Sequence, residues 1–412
     1  MIMESKNNKF IERLIINQNF KCAPDCIDLF SIEEYKKILD TDNKYEKDIL
    51  KQIKYLVDAS ALSTGISAVC GTRNKTFCFN YGYTDSSKSK SVDEHTIFDL
   101  ASVTKLFLTI CFFKLYEQGF VDFNKAISYY SNEFVNVGNL TLYDLMHFNH
   151  TVITDKRITD TNTDEAISLI KASKIENDIP TYSDIPAIIL GMLFKKISSV
   201  ELKDFLTKEI IVPLELKNTF WNSSGIVSEN YMNYDNEYIF IDGKLKKIQT
   251  DKFQVHDQKA RILSENGKHL CGHAGLFSTA NDISKLCIAL LNEKIISKNV
   301  LNLIGDNSSA CSKQRFGFLS YVKNPSLKDS EIYWAMSGNS FAMSGFTGTY
   351  LLIDPSNNLF CFIGGNKINN KLTKCNDPDF IKKTNLCYSK NYIYKKDCLR
   401  DSLCNLALTN ID

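Results

Sequence analysis

Four serines in this chain stand three residues before a lysine: Ser87, Ser102, Ser168 and Ser320. A serine hydroxyl becomes a nucleophile only when a base takes its proton. At i and i+3 of a helix the two side chains share a face, and burial can depress a lysine pKa far enough for it to serve as that base. The pattern is common, so context must choose among the four. Ser87 lies inside a polar loop, SSKSKSVDEH. Ser102 lies where that loop gives way to an apolar helix, LFLTICFFKLYEQG. A serine in the first turn of that helix would also aim its backbone N–H at a developing oxyanion. The other reading of Ser102 is a helix N-cap.

Two further segments could complete such a site. Tyr182-Ser183-Asp184 precedes the apolar helix IPAIILGMLFKKIS. A tyrosine near a lysine can relay a proton, and an acceptor two residues later could hold the lysine. The alternative is a capped helix start behind a packed tyrosine. Met343-Ser344-Gly345-Phe346-Thr347-Gly348-Thr349 opens an apolar strand. Small residues there would let a substrate lie along the strand edge, with the N–H near Phe346 as second oxyanion donor. The alternative is a glycine-marked strand start. The chain has six histidines, of which His147, His256 and His273 invite a metal reading. No H-E-x-x-H or comparable ligand spacing appears, so no metal is expected, and His273 is assigned to structural hydrogen bonding. There is no G-x-S-x-G elbow, P-loop or G-x-G-x-x-G, so no cofactor is expected.

These segments must be positioned by a sizeable fold. The chain has 412 residues, 44% hydrophobic and 24% charged, with a formal net charge of +1. That balance fits a soluble globular enzyme and gives no footprint for nucleic acid or an anionic membrane. The 13 cysteines include several in apolar runs, such as Cys111 and Cys287, and are expected as reduced thiols. The N-terminus carries scattered charges without a signal-peptide apolar run, and no stretch reaches the roughly 20 apolar residues of a membrane span. A cytoplasmic location is therefore expected.

Residues 1–45 read as an N-terminal extension of unknown role, with one short helix in PDCIDLFSIEEYKKILD. Residues 44–61 show helical spacing of Ile49, Ile53, Leu56 and Val57. ISAVC and TFCFNYGYTD read as two strands around a turn. The LFLTICFFKLYE helix ends at Gly119, and residues 140–215 look largely helical. Asp242-Gly243 marks a hairpin, and Thr279 caps the helix DISKLCIALLN. FTGTYLLIDP and NLFCFIGGN form a second strand pair, and a helix from Lys395 to Leu408 closes the chain. Strands near both ends with helices between them predict an α+β fold, its sheet built from both chain ends around an inserted helical region. The sheet would draw on about 55–100 and 235–412, the helical region on about 101–230, and residues 46–412 would make one catalytic domain.

The order of these segments resembles the serine β-lactamase and penicillin-binding-protein family in its broad sense, which includes class C β-lactamases, D,D-peptidases and related esterases and acyltransferases. FDLASVTK resembles the nucleophile segment, YSDIPAIILG the Tyr-x-Asn segment, and SGFTGTYLLIDPSNNLF the strand segment; CGHAGLFSTANDISKL and VHD at 255–257 resemble further family stretches. The resemblance spans roughly residues 55–408. It implies a β-lactamase/transpeptidase-like antiparallel sheet flanked by helices, an acylated Ser102, and proton transfers shared by Lys105 and Tyr182. It places Asp184, Met343, Ser344, Gly345 and Phe346 at the substrate, with the N–H groups of Ser102 and Phe346 as oxyanion donors.

Three positions depart from the family pattern. Asp184 replaces Asn, so a carboxylate beside Lys105 would favour the protonated amine. Met343 replaces a cationic or hydrogen-bonding residue, and LMHFNHT at 145–151 alters the cavity wall. The functions that follow are hydrolysis of an ester, amide or peptide bond in a small-molecule or peptide substrate, acyl transfer on the same fold, or a non-catalytic penicillin-binding-like sensor. Oligomeric state has no signature in the sequence.

Overall fold

The stretch Gly65–Gly82 folds back on itself as two strands, β1 (Gly65–Thr72) and β2 (Thr76–Gly82), after a helix α1 (Tyr45–Lys54). Lys75 O accepts the Thr72 N–H at 2.8 Å and closes the turn. The computed structural model describes residues 45–59, 63–221, 228–234, 236–248, 250, 254–264, 269–305, 316–324, 331–384, 386–388 and 396–411. The N-terminal extension and its expected short helix lie outside these residues.

Every residue of β1 is buried, because the strand is paired on both sides and covered on both faces. Later elements are α2 (Thr104–Glu117), α3 (Ile185–Ser198), α4 (Ala280–Leu291), β3 (Phe316–Gly317), β4 (Ser320–Val322), β5 (Phe341–Ser344), β6 (Tyr350–Asp354), β7 (Leu359–Gly365) and α5 (Lys396–Leu408). The main sheet runs β3-β4-β5-β6-β7-β1-β2, antiparallel throughout. Ile66 pairs with Gly365 and Thr72 with Leu359, so the two chain ends share one sheet.

Alternate strand residues go to opposite faces, and the core divides accordingly. Ile66, Ala68, Cys70, Tyr350, Leu352, Cys361 and Ile363 pack with Ile49, Ile53, Leu399 and Leu403 of the terminal helices. Val69, Leu351, Ile353, Phe360 and Phe362 face the larger core with α2, α3 and α4. Helix α2 is mostly apolar because it runs through that core; Thr104 to Phe113 are buried on every side. It ends at Gly119, whose φ of +80° suits a residue without Cβ.

Local signals elsewhere hold as well. Asp242 and Gly243, at φ +52° and +71°, form the turn of the Glu237–Ile241/Lys244–Ile248 hairpin. Thr279 caps α4 by accepting the Asp282 N–H. Two features differ from expectation. The 237–248 hairpin joins a separate sheet beside Lys371–Cys375 rather than the main one. The stretch 140–215 is interrupted by a two-stranded ribbon, Thr151–Ile153 with Lys174–Asn177, in which Val152 enters the core. Cys70, Cys78, Cys111, Cys271, Cys287, Cys361 and Cys404 are free thiols, and among the described residues no helix is long and apolar enough to cross a membrane.

Candidate active site

The Ser102 segment is held from below by a buried carboxylate. Asp99 accepts the N–H of Ala101 and the N–H of His256, both at 2.8 Å. Burial pushes the Asp99 carboxyl upward, and the two donors counter it. Ala101 takes a positive φ of 46°, a costly conformation for a residue with Cβ. Two threonines from the strand segment clamp the same backbone: Thr347 Oγ1 donates to Asp99 O and Thr349 Oγ1 to Leu100 O, each at 2.8 Å. Gly345 must be glycine for this approach, since a Cβ there would lie 2.7 Å from Leu100 O and 2.0 Å from Thr349 Oγ1.

Ser102 therefore occupies a short 3-10 turn, Ala101–Val103, ahead of α2. Neither that turn nor α2 uses a side-chain N-cap, so the capping reading of Ser102 does not hold. Its Oγ accepts from Lys105 Nζ at 3.0 Å. Two rival serines are engaged elsewhere: the Ser87 hydroxyl donates to Asp85, and that of Ser168 to the Asp164 carbonyl.

Lys105 is fully buried. Beyond Ser102, its Nζ donates to Asp184 Oδ1 at 2.8 Å and to the His273 carbonyl at 3.1 Å. Three acceptors match the three hydrogens of an ammonium. Burial acts to lower the Lys105 pKa, but Tyr182 and the Asp184 carboxylate outweigh it and hold the pKa above its ordinary value. Of the two opposing effects expected from the sequence, burial and the carboxylate that replaces Asn at position 184, the carboxylate prevails. Asp184 answers in kind. Burial would raise its pKa, yet Lys105, His273 and Lys259 hold it well below the usual carboxylate range. Its side chain makes no cap bond to α3; it is spent on lysines.

Tyr182 lies with its ring centroid 5.1 Å from Lys105 Nζ and its hydroxyl 3.9 Å from Met343 Sδ. Phe148, Phe316 and Tyr321 pack around the ring at centroid distances of 5.2, 6.2 and 6.0 Å. The altered LMHFNHT stretch thus supplies Phe148 to the wall. On the strand side, β4 pairs with Phe341 and Ala342 and stops short of Met343 and Ser344. Met343 is fully buried. Ser344 Oγ turns to Glu331, donating to Oε2 at 2.6 Å. Phe346 is 46% exposed, its ring against His256. Among the hydrogen bonds of the described residues, the N–H groups of Ser102 and Phe346 have no protein acceptor.

The structure brings Ser102, Lys105, Tyr182, Asp184 and Met343 into one chain of contacts, with Gly345 fixing the strand segment against Leu100. The three histidines do not converge: His147 bonds Tyr143 O, His256 bonds Glu237, and His273 bonds Asp257. Among the described residues, Asp184, Asp257 and His273 alone form a group of three whose ligand-type atoms lie within 4.8 Å of one another. Their carboxylate oxygens are already paired, Asp184 with Lys105 and Lys259, Asp257 with His273 and Lys259, so the cluster is built for ammonium groups rather than a metal ion.

Sequence reasoning missed Lys259, Glu331, Phe316 and Tyr321. Lys259 lies two residues beyond the VHD stretch, which was the available signal; the others carry none.

Comparison with known proteins identifies a family and a fold. The family model described as Beta-lactamase matches residues 56–383. Relatives from Salmonella agona (strain SL483) and Salmonella typhimurium (strain LT2), each named "Putative D-alanyl-D-alanine carboxypeptidase", are 26% identical over 66% of this chain and 70% of their own. Among solved structures, simvastatin synthase LovD from Aspergillus terreus superposes with a TM-score of 0.63 at 15% identity, covering 90% of this chain and 98% of that one. A class C beta lactamase from Rhodobacter sphaeroides gives 0.60 at 15% identity over 88% and 99%. FmtA from Staphylococcus aureus gives 0.58 at 18% identity over 87% and 97%.

Proposed function

We propose that this chain, which belongs to the Beta-lactamase family and is a serine hydrolase of that family, works through an acyl-Ser102 intermediate on neutral ester or amide substrates. The observation that carries the reading is the buried Lys105 bonded at once to Ser102 Oγ, Asp184 and the His273 carbonyl.

In the proposed reaction Ser102 Oγ attacks the substrate carbonyl carbon. Its proton passes to the Lys105–Tyr182 pair, and that pair returns a proton to the leaving group as the acyl bond breaks. The backbone N–H groups of Ser102 and Phe346 stabilise the oxyanion. Water then attacks the acyl-serine, with the same pair as base. Asp184 and Tyr182 hold the resting Lys105 as an ammonium, so the pair must give up one proton before it can take that of Ser102. For a substrate ending in a free carboxylate, Met343 supplies no charge and the Ser344 hydroxyl is already given to Glu331. A neutral acyl group meets no such conflict.

The test is labelling with a fluorophosphonate probe, followed by peptide mass analysis. Ser102 is the expected adduct site. Ser102→Ala should lose labelling and turnover by several orders of magnitude while staying folded. Turnover that survives in the folded variant would refute the assignment.

A further inference from the structure

Asp184 is shared between two lysines. Lys105 Nζ lies 2.8 Å from Oδ1 and Lys259 Nζ lies 2.8 Å from Oδ2. Lys259 sits in the first turn of the helix Gln258–Leu263, whose cap is Asp257. Its Nζ is also 3.5 Å from Asp257 Oδ2, while Asp257 Oδ1 meets His273 Nε2 at 3.0 Å. The His273 carbonyl returns to Lys105, so the cluster closes on itself.

The family resemblance puts an amide at position 184. An amide would offer Lys105 a neutral acceptor. A carboxylate with Lys105 as its sole cation would form a full ion pair and resist loss of the Lys105 proton. Lys259 supplies a second cation, so the charge of Asp184 is shared between two ammonium groups rather than held by Lys105 alone. The charged and titratable groups facing Asp184 are Lys105 from α2, Lys259 and Asp257 from the 257–263 segment, and His273 from the loop before Leu276–Ser278. Ser102 and Tyr182 complete the set around Lys105.

We infer that Lys259 is a positioning residue for this site: by taking the second oxygen of Asp184 it keeps that carboxylate from committing wholly to Lys105, which can then release a proton into the relay. The inference rests on the Ser102–Lys105–Tyr182 reading above. Burial acts to lower the Lys259 pKa, and Asp257 and Asp184 more than offset it, so Lys259 is a dependable cation here.

The experiment follows the rate of fluorophosphonate labelling against pH, a reaction in which the Ser102 Oγ–P bond forms, fluoride leaves and the serine proton goes to the relay. It needs no knowledge of the physiological substrate. Lys259→Met should slow labelling at neutral pH roughly tenfold and move the rise in rate about one pH unit upward. Lys259→Arg should stay near wild type. In an Asp184→Asn background the ion pair is gone, and Lys259→Met should change the rate by less than about twofold. Thermal unfolding checks each variant, and Lys259→Gln carries the same expectation should the methionine variant fail to fold. Equal losses in both backgrounds would reduce Lys259 to a packing role and overturn the inference. So would an unmoved pH profile in a folded Lys259→Met or Lys259→Gln protein whose Ser102 is labelled. Wild-type protein unlabelled at Ser102 would instead overturn the nucleophile reading, and the inference with it.

Discussion

The thioether sulfur of Met343 lies 3.9 Å from the phenolic oxygen of Tyr182, out of contact with solvent. A thioether brings no charge and only weak acceptor capacity, so Met343 itself has nothing with which to hold an anionic substrate group. It can pack against Tyr182 as an apolar surface.

Neutral esters should therefore be turned over well ahead of β-lactams. Loss of a charge-assisted hydrogen bond to a carboxylate costs about 1.5–3 kcal/mol, or roughly ten- to over a hundredfold in affinity. The comparison is kcat/KM for a short-chain p-nitrophenyl ester against a chromogenic cephalosporin, on wild type and Met343→Lys. The ester should lead in wild type, and the cephalosporin should gain in the variant. Efficient cephalosporin hydrolysis by the wild type would contradict the role given to Met343.

Lys105 and Tyr182 should fail to act additively. Each single removal disables one shared relay, so the double variant should be little worse than the poorer single one. The measurement is a double-mutant cycle on labelling rate and ester turnover, using Lys105→Met and Tyr182→Phe. Losses that multiply would show two independent roles.

Acid stability should track the Asp184 cluster. The folded pKa of Asp184 is held below its ordinary value, against burial, by Lys105, His273 and Lys259; that of Asp257 is held down, against burial, by His273 and Lys259. A depressed carboxyl contributes stability that is present in full above its unfolded pKa of about 3.9 and is lost as pH falls through the folded value. Asp184→Asn should thus cost on the order of 1–3 kcal/mol at pH 7, and the gap to wild type should narrow as pH drops below about 4. Urea midpoints at both pH values measure it. A gap that stays constant on acidification would show that the carboxylate charge is not what stabilises the fold here.

Much of the framework could be read from local pattern. The ISAVC and TFCFNYGYTD strands, the largely apolar LFLTICFFKLYE helix, the Asp242-Gly243 turn and the Thr279 cap each depend on neighbours within a few residues. Such short-range constraints are written in the order of the residues. The choice of Ser102 over Ser87 and Ser168 came from the same kind of signal, a polar loop turning into a buried helix. Residues 1–44 lie outside the described structure, so the extension adds nothing to this comparison.

What tertiary structure alone decided is the electrostatics of the site and the partners that enter from afar. Burial and a neighbouring carboxylate pull the Lys105 pKa in opposite directions, and sequence cannot weigh them because the result depends on distances: 2.8 Å to Asp184 and full burial together leave an ammonium. Lys259 reaches Asp184 from a segment distant in the chain, with only the neighbouring VHD stretch as a hint, and Glu331 reaches Ser344 with no periodicity or spacing to announce it. The 237–248 hairpin was legible as a hairpin, but its sheet was not, since pairing with Lys371–Cys375 is a long-range choice. Side-chain chemistry and local backbone preference are properties of the sequence; which charges face one another across a buried gap is settled only when the chain closes on itself.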